Sequence, residues 1–323
     1  MNYINMILNR VLIFCFFAFI FWSCQTDMEL EIELPEPKKK LVLNSTFTSF
    51  TPPYVKPLQV RLWNSWPVLD TSQAKQITDA KILWYENDQL LDSLYFDDTL
   101  NAYTLREFYF PVEGANYSIE ILKDGYKNIS AQNFIPPGVP IQDYKLVSFA
   151  GLNNDNLAYS SVSITFNDPE HTENYYEIIV TDVSNEKNKY RLWTNEKIIT
   201  EEPWYPSVLS FDSKLPQRLL FNDKQINGTE KQIVFYFTPE QVIDKGKLKI
   251  RYSIIDIYLR SVTAEYYRYY TTLLQHKYNQ KGDFFYGLSE PLNVFTNVEN
   301  GYGIFAGFYN DAVTIEIDTL TIR

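Results

Sequence analysis

Two histidines, His171 and His276, and two cysteines, Cys15 and Cys24, are all the imidazole and thiol chemistry in this chain of 323 residues. Neither histidine has a second one at i+3 or i+4, so the usual zinc arrangements are missing. His171 lies in a turn-like stretch, Asp168-Pro169-Glu170-His171, and His276 sits near the end of a helical run. There is no Gly-x-Ser-x-Gly elbow and no Walker-type lysine loop. Gly301-Tyr302-Gly303-Ile304-Phe305-Ala306 has the G-x-G-x-x-A form of a dinucleotide fingerprint. That loop works by following a strand and opening a helix whose N-terminus faces the pyrophosphate. Here a strand-like run over 313–322 follows instead, so the glycines are read as allowing positive φ or close backbone packing in a turn. Among 40 acidic residues nothing singles out a pair for glycoside cleavage. The expectation is a protein that is not an enzyme, with no catalytic, cofactor-binding or metal-binding residues and no cofactor.

Binding chemistry is the other option. Trp204-Tyr205, inside Glu201-Glu202-Pro203-Trp204-Tyr205-Pro206, is expected in a loop, because prolines and acids flank it. Either the Trp tucks back onto its own sheet, or the pair makes an exposed contact with a partner protein or glycan. The chain has 29 basic residues against its 40 acids, a formal charge of −11, and its only basic run is Lys38-Lys39-Lys40. A nucleic-acid binder would carry a basic patch or arm, so no nucleic-acid partner is expected.

The elements that must hold such residues are mainly β. Apolar residues make up 45% of the chain and aromatic residues 16%, ordinary globular stock with a bias to strands. Short alternating runs predict strands over 41–47, 58–63, 80–86, 89–95, 102–108, 117–122 and 129–134. That is the pattern of an immunoglobulin-like β-sandwich over 40–137, without the Cys–Trp–Cys core of antibody domains. Pro136-Pro137-Gly138-Val139-Pro140 marks a boundary. A larger β domain over 138–323 follows, with strands over 161–166, 175–183, 189–193, 232–237, 248–259 and 313–322. A parity shift at Ile254-Ile255 suggests a bulge or burial of both faces, with Asp256 hydrogen-bonded at a sheet edge. One helix, 261–278, is expected to start at a Ser261 cap and to lay Val262, Tyr266, Tyr269, Tyr270, Leu273 and Leu274 across a sheet.

The first residues read as an address. The apolar run 11–22 is 12 residues long, too short to span a bilayer and suited to the core of a signal peptide over 1–23. Ser23-Cys24 then resembles the end of a bacterial lipobox, which makes Cys24 the expected lipidation site. Residues 24–39 form an acidic tether carrying Asp27, Glu29, Glu31, Glu33 and Glu36, with Pro35 and Pro37 keeping it from helix. Cleavage before Cys24 removes Arg10 and takes the charge from −11 to −12. Acylation uses the remaining thiol, so no disulfide is expected. The acids after Cys24 resemble the export signal that sends Bacteroidota lipoproteins to the cell surface.

Five features in order resemble a family of Bacteroidota lipoproteins, the domain of unknown function 4249. They are Ser23-Cys24 with its tether; Leu41-Val42-Leu43-Asn44; and Leu219-Leu220-Phe221-Asn222-Asp223-Lys224-Gln225-Ile226-Asn227-Gly228. The helix segment Glu265-Tyr266-Tyr267-Arg268-Tyr269 follows, then Glu290-Pro291-Leu292-Asn293-Val294-Phe295-Thr296-Asn297-Val298 leading into Asn300-Gly301. The resemblance implies an outer-membrane lipoprotein, lipid-anchored and surface-exposed, that serves as an accessory to a TonB-dependent β-barrel transporter. It assigns no catalytic residues and names no ligand. The function expected is a non-catalytic binding or accessory module, and the alternative is a stand-alone adhesin or glycan-binding lipoprotein.

Overall fold

A computed structural model describes residues 39–49, 58–65, 74–107, 109–206, 215–286 and 292–322. The expected signal peptide, Cys24 and the tether up to Lys38 lie outside the described residues. The first strands are β1 (Leu41–Thr48), β2 (Leu58–Asn64), β3 (Lys81–Glu86), β4 (Gln89–Asp97), β5 (Ala102–Thr104), β6 (Asn116–Leu122) and β7 (Ile129–Phe134). Next come β8 (Ile141–Leu152), β9 (Ala158–Asn167), β10 (Tyr175–Asp182), β11 (Asn185–Lys189), β12 (Leu192–Thr194) and a single helical turn, α1 (Lys197–Thr200). The chain continues through β13 (Leu219–Asn222), β14 (Glu230–Phe237), β15 (Gln241–Asp244), β16 (Lys247–Ile250) and β17 (Ser253–Val262). It then forms α2 (Ala264–Tyr286), β18 (Tyr302–Ile317) and β19 (Leu320–Ile322). The protein is mainly β, as its alternating runs predict.

One long sheet organises these strands in the order β11-β10-β17-β18-β1-β2-β5-β4-β3-β6-β7, with β13 pairing β10. Strands β1 to β7 curl far enough for β7 to return to β18, where the Gly307 N–H donates to Asn133 Oδ1 at 3.0 Å. The enclosed core is aromatic. Trp84 stacks on Tyr117 with centroids 5.1 Å apart, and Phe47 meets both rings edge-on. Phe305, from the far end of the chain, completes the cluster against Phe47 at 4.9 Å.

The remaining half is layered. A second sheet, β12-β14-β9-β8, packs the inward residues Val162, Ile164, Phe166, Ile233, Phe235 and Phe237 against Tyr176, Ile178, Val180, Ile255 and Ile257 of the long sheet. On the opposite side α2 lies over β18, β10 and β13. β10 is therefore covered on both faces, which explains its unbroken apolar run from Tyr175 to Val180 around one acid, Glu177. The two cores share the C-terminal part of the chain: Val298 and Phe305 pack in the first, Ile304, Ala306 and Ile315 of β18 in the second.

Several local expectations change. The helix begins at Ala264 rather than at 261, because Ser261 is still the penultimate residue of β17 and its Oγ accepts from the Val139 N–H at 3.1 Å. Thr263 takes the capping place instead, its Oγ1 accepting from the Tyr266 N–H at 3.4 Å. The expected strand over 248–259 is two strands broken at Arg251-Tyr252, and β17 runs beside β18 without a register shift. Asp256 is central rather than at an edge. It lies between β10 and β18 and accepts from Thr314 Oγ1 at 2.6 Å. The glycine-rich stretch is not a turn throughout. Gly303 sits inside β18 at φ +104°, opposite Leu43 of β1, where an added Cβ would fall 1.8 Å from the Leu43 carbonyl oxygen. This close approach permits β18 to pair β1 in parallel, while the other ladders are antiparallel among the described residues.

Candidate functional site

Along β9 the even-numbered residues from Ala158 to Phe166 are buried, which turns Tyr159, Ser161, Ser163 and Thr165 to the outer face of the second sheet. The same alternation in β14 buries Ile233, Phe235 and Phe237 and turns out Val234 and Tyr236. In β12 it leaves Trp193 half-exposed between buried Leu192 and Thr194. Register brings these residues together: Trp193 lies opposite Tyr236, and Tyr236 opposite Ser161. The Trp193 and Tyr236 rings lie at 25° to each other with centroids 5.8 Å apart. Tyr159 stands edge-on to both, at 5.5 and 5.8 Å. Gly151 of β8 makes room for it, since a Cβ there would lie 2.6 Å from the Tyr159 hydroxyl.

This aromatic patch runs into a cleft of about 560 Å³, within the range of small-ligand sites. The cleft is lined by Val234 and Tyr236 of β14, by Asn195, Glu196 and Lys197 after β12, and by Gln225 of the turn after β13. The walls are held by hydrogen bonds. Glu196 takes Lys231 Nζ at 2.8 Å and the Val234 N–H at 3.3 Å, while Thr194 Oγ1 donates to the Val234 carbonyl at 2.5 Å. Glu196 is the one carboxylate lining the cleft among the described residues, and it is paired with Lys231. Glycoside hydrolysis by the two-carboxylate route needs a second acid across the bond, and the described lining holds one acid only.

Trp204 and Tyr205 are corrected by the structure. Trp204 is 1% exposed and Tyr205 8%, so the pair is not an exposed contact surface. The turn after α1 folds them back into the core beside Ile198 and Ile199, leaving Glu201 exposed. The Tyr205 hydroxyl accepts from the Thr194 N–H at 3.1 Å and donates to the Thr194 carbonyl at 3.2 Å. It thereby braces the backbone between Trp193 and Asn195, acting on the cleft from behind. The outward aromatics were missed although each is the outward member of an alternating run. What the runs do not reveal is that β12, β14 and β9 are neighbours.

Other polar clusters are engaged within the protein. Glu177 is fully buried beneath α2 and binds Arg218 at 2.6 Å, Arg260 at 3.0 Å and the Tyr266 hydroxyl at 2.7 Å. Burial alone would raise its pKa, but Arg218 and Arg260 outweigh it and hold the carboxyl below its ordinary value. Arg218 also stacks over the Tyr270 ring at 3.9 Å, and Arg260 over Phe308 at 4.4 Å. Lys189 lies nearby, pushed down to about 8 by burial and then by the two guanidinium groups. Asp168 accepts from the Tyr176 hydroxyl at 2.5 Å and the Gly228 N–H at 3.0 Å, and Asp223 accepts from the Asn174 N–H at 2.8 Å. Asp168 and Asp223 thus fasten the polar turn from Asn222 to Gly228 from within, while Lys224, Gln225 and Asn227 stay exposed. A smaller cleft of about 360 Å³ contains Glu120 and Glu299, bound by Tyr85 and Ser130 respectively.

His171 is exposed beside Glu170 at 3.3 Å, and His276 Nδ1 meets the Leu292 carbonyl at 3.0 Å, far apart in sequence and in different elements. Among the described residues no three His, Cys, Asp or Glu side chains gather to hold a metal, and no helix is long and apolar enough to cross a membrane.

No curated protein matches the chain. The model of one family, described as a domain of unknown function, DUF4249, matches residues 27–312, and the chain belongs to that family.

Proposed function

We propose that this protein is a non-catalytic binding module, lipid-anchored through Cys24 to the outer membrane and exposed on the cell surface, that assists a TonB-dependent β-barrel transporter. The apolar run, Ser23-Cys24 and the acidic tether support the anchor. Stable anchoring takes more than one acyl chain on that cysteine. The observation that carries the binding role is the continuity of the Trp193, Tyr236 and Tyr159 patch with the cleft at Glu196 and Gln225. Half-exposed rings on a rigid sheet lose little conformational freedom when a ligand covers them, which favours a preformed site.

A tagged copy recovered from mildly solubilised native membranes, with mass spectrometry of what remains bound, tests the accessory role. The expected result is a stoichiometric β-barrel partner whose retention survives salt. A partnerless lipoprotein overturns that role and leaves the alternative of a stand-alone adhesin. A Cys24→Ala chain that still sediments with membranes overturns the anchor.

A further inference from the structure

The outer face of the second sheet combines three kinds of surface within one site. Trp193 and Tyr236, from directly opposed positions, stack on one another at 25°, and both are half-exposed. Asn195 and Gln225 supply exposed carboxamides at the mouth of the cleft, each with both donors and an acceptor. Ser161 and Ser163 add hydroxyls along β9. Charge is nearly cancelled: Lys231 and Glu196 are locked to each other at 2.8 Å, Lys197 is the exposed charge of the lining, and Lys145 and Asp143 of β8 lie opposite Ser163 and Thr165 further along the face.

We infer that this site binds a neutral oligosaccharide. The inference rests on the reading of this face as the binding surface and names the class of ligand. A pyranose ring has C–H faces of slight positive character, which pack on the electron-rich face of an indole or phenol. Its rim carries vicinal hydroxyls that donate and accept together, which a carboxamide satisfies with its two ends. A ligand of several rings lies with one ring against the stacked Trp193–Tyr236 pair, and its next ring reaches Gln225 and Asn195 in the cleft. A polyanion finds no concentration of positive charge there, and an apolar ligand would leave the carboxamides and the ion pair unsatisfied.

The test uses the purified chain without its signal segment. Isothermal titration and saturation-transfer NMR are run with hexasaccharides of glucose, mannose and xylose, with polygalacturonate and a sulfated polysaccharide, and with a mixed peptide library. The variants are Trp193→Ala, Tyr236→Ala and Gln225→Ala, with Tyr252→Ala on an exposed site elsewhere as the control. Far-ultraviolet circular dichroism establishes that each variant is folded. The expected result is binding of a neutral hexasaccharide that weakens at least about tenfold in Trp193→Ala and Tyr236→Ala, less in Gln225→Ala, and not in Tyr252→Ala. Trp193-dependent binding of the anionic polymers or peptides alone overturns the ligand class and leaves the binding face standing. Binding of nothing, or binding indifferent to all three site variants, overturns both.

Discussion

The two cores solve the same problem of burial in different ways. The first is closed by rings: Phe47, Trp84, Tyr117 and Phe305 fill it, and its polar edge is one partly exposed acid, Glu86, bound by the hydroxyls of Tyr109 and Tyr117 at 2.5 and 2.6 Å. The second has an apolar interior between its sheets, but beneath α2 it buries an ionised Glu177 with two guanidinium groups. The difference follows from architecture. A sheet that curls on itself needs no lid, whereas an open sheet with a polar centre needs a helix to exclude water. Buried ion pairs contribute little net stability yet are costly to break, so the second core should be the more brittle to single changes.

Glu177→Gln attacks that contrast most directly. It leaves Arg218 and Arg260 buried without a counter-charge and is expected to cost about 3–5 kcal/mol in urea unfolding. A cost near that of an ordinary surface change would mean that water reaches the cluster. Gly303→Ala comes next, at roughly 2–4 kcal/mol, from a strained φ together with collision against the Leu43 carbonyl. Because β18 serves both cores, the loss should appear as one shifted transition, and two separated transitions would show that the cores unfold independently. Glu86→Gln, the counterpart of the first change, keeps a hydrogen-bond acceptor at a partly exposed site. It should cost only about 1 kcal/mol.

A further expected effect lies in the pH profile. Lys189 releases its proton near pH 8 in the folded protein but near its ordinary value of 10.5 when unfolded. Between those values the unfolded chain binds more protons, so stability rises with pH across that window. In Lys189→Met this increment should vanish, and a profile parallel to the parent's would dissociate Lys189 from the cluster. Glu177 acts at the other end. With its folded pKa held below the ordinary 4.5, its stabilisation is complete above that value and is lost as pH falls through the folded pKa.

Much of this framework can be read from residue order. β7 has the bounds that its alternation predicts, and β9 and β14 extend theirs by only a few residues. β8 leaves no such trace, because as an exposed edge strand it lacks a buried face to impose alternation. β13 and β15, four residues each, are too short for a period to emerge. For Trp204 the prolines and acids mark a turn without saying which way its side chains point, so burial and exposure both stay open until the structure selects burial. The spacing of Gly301 and Gly303 announced a close approach but not its partner, since pairing across about 260 residues leaves no local mark. The binding face is legible residue by residue and illegible as a group, for the same reason.

The place of Phe305 bears on how the chain acquires its shape. Residues of the first core begin at Leu41, yet the ring against which Phe47 and Trp84 pack emerges more than 250 residues later. A polypeptide delivered N-terminus first therefore has strands but no finished interior until nearly all of it is available. Closing so long a loop costs entropy that local contacts cannot return early, which slows folding. On the proposed reading of an exported lipoprotein, that delay would be useful, because a chain that cannot fold in segments stays extended enough to be translocated.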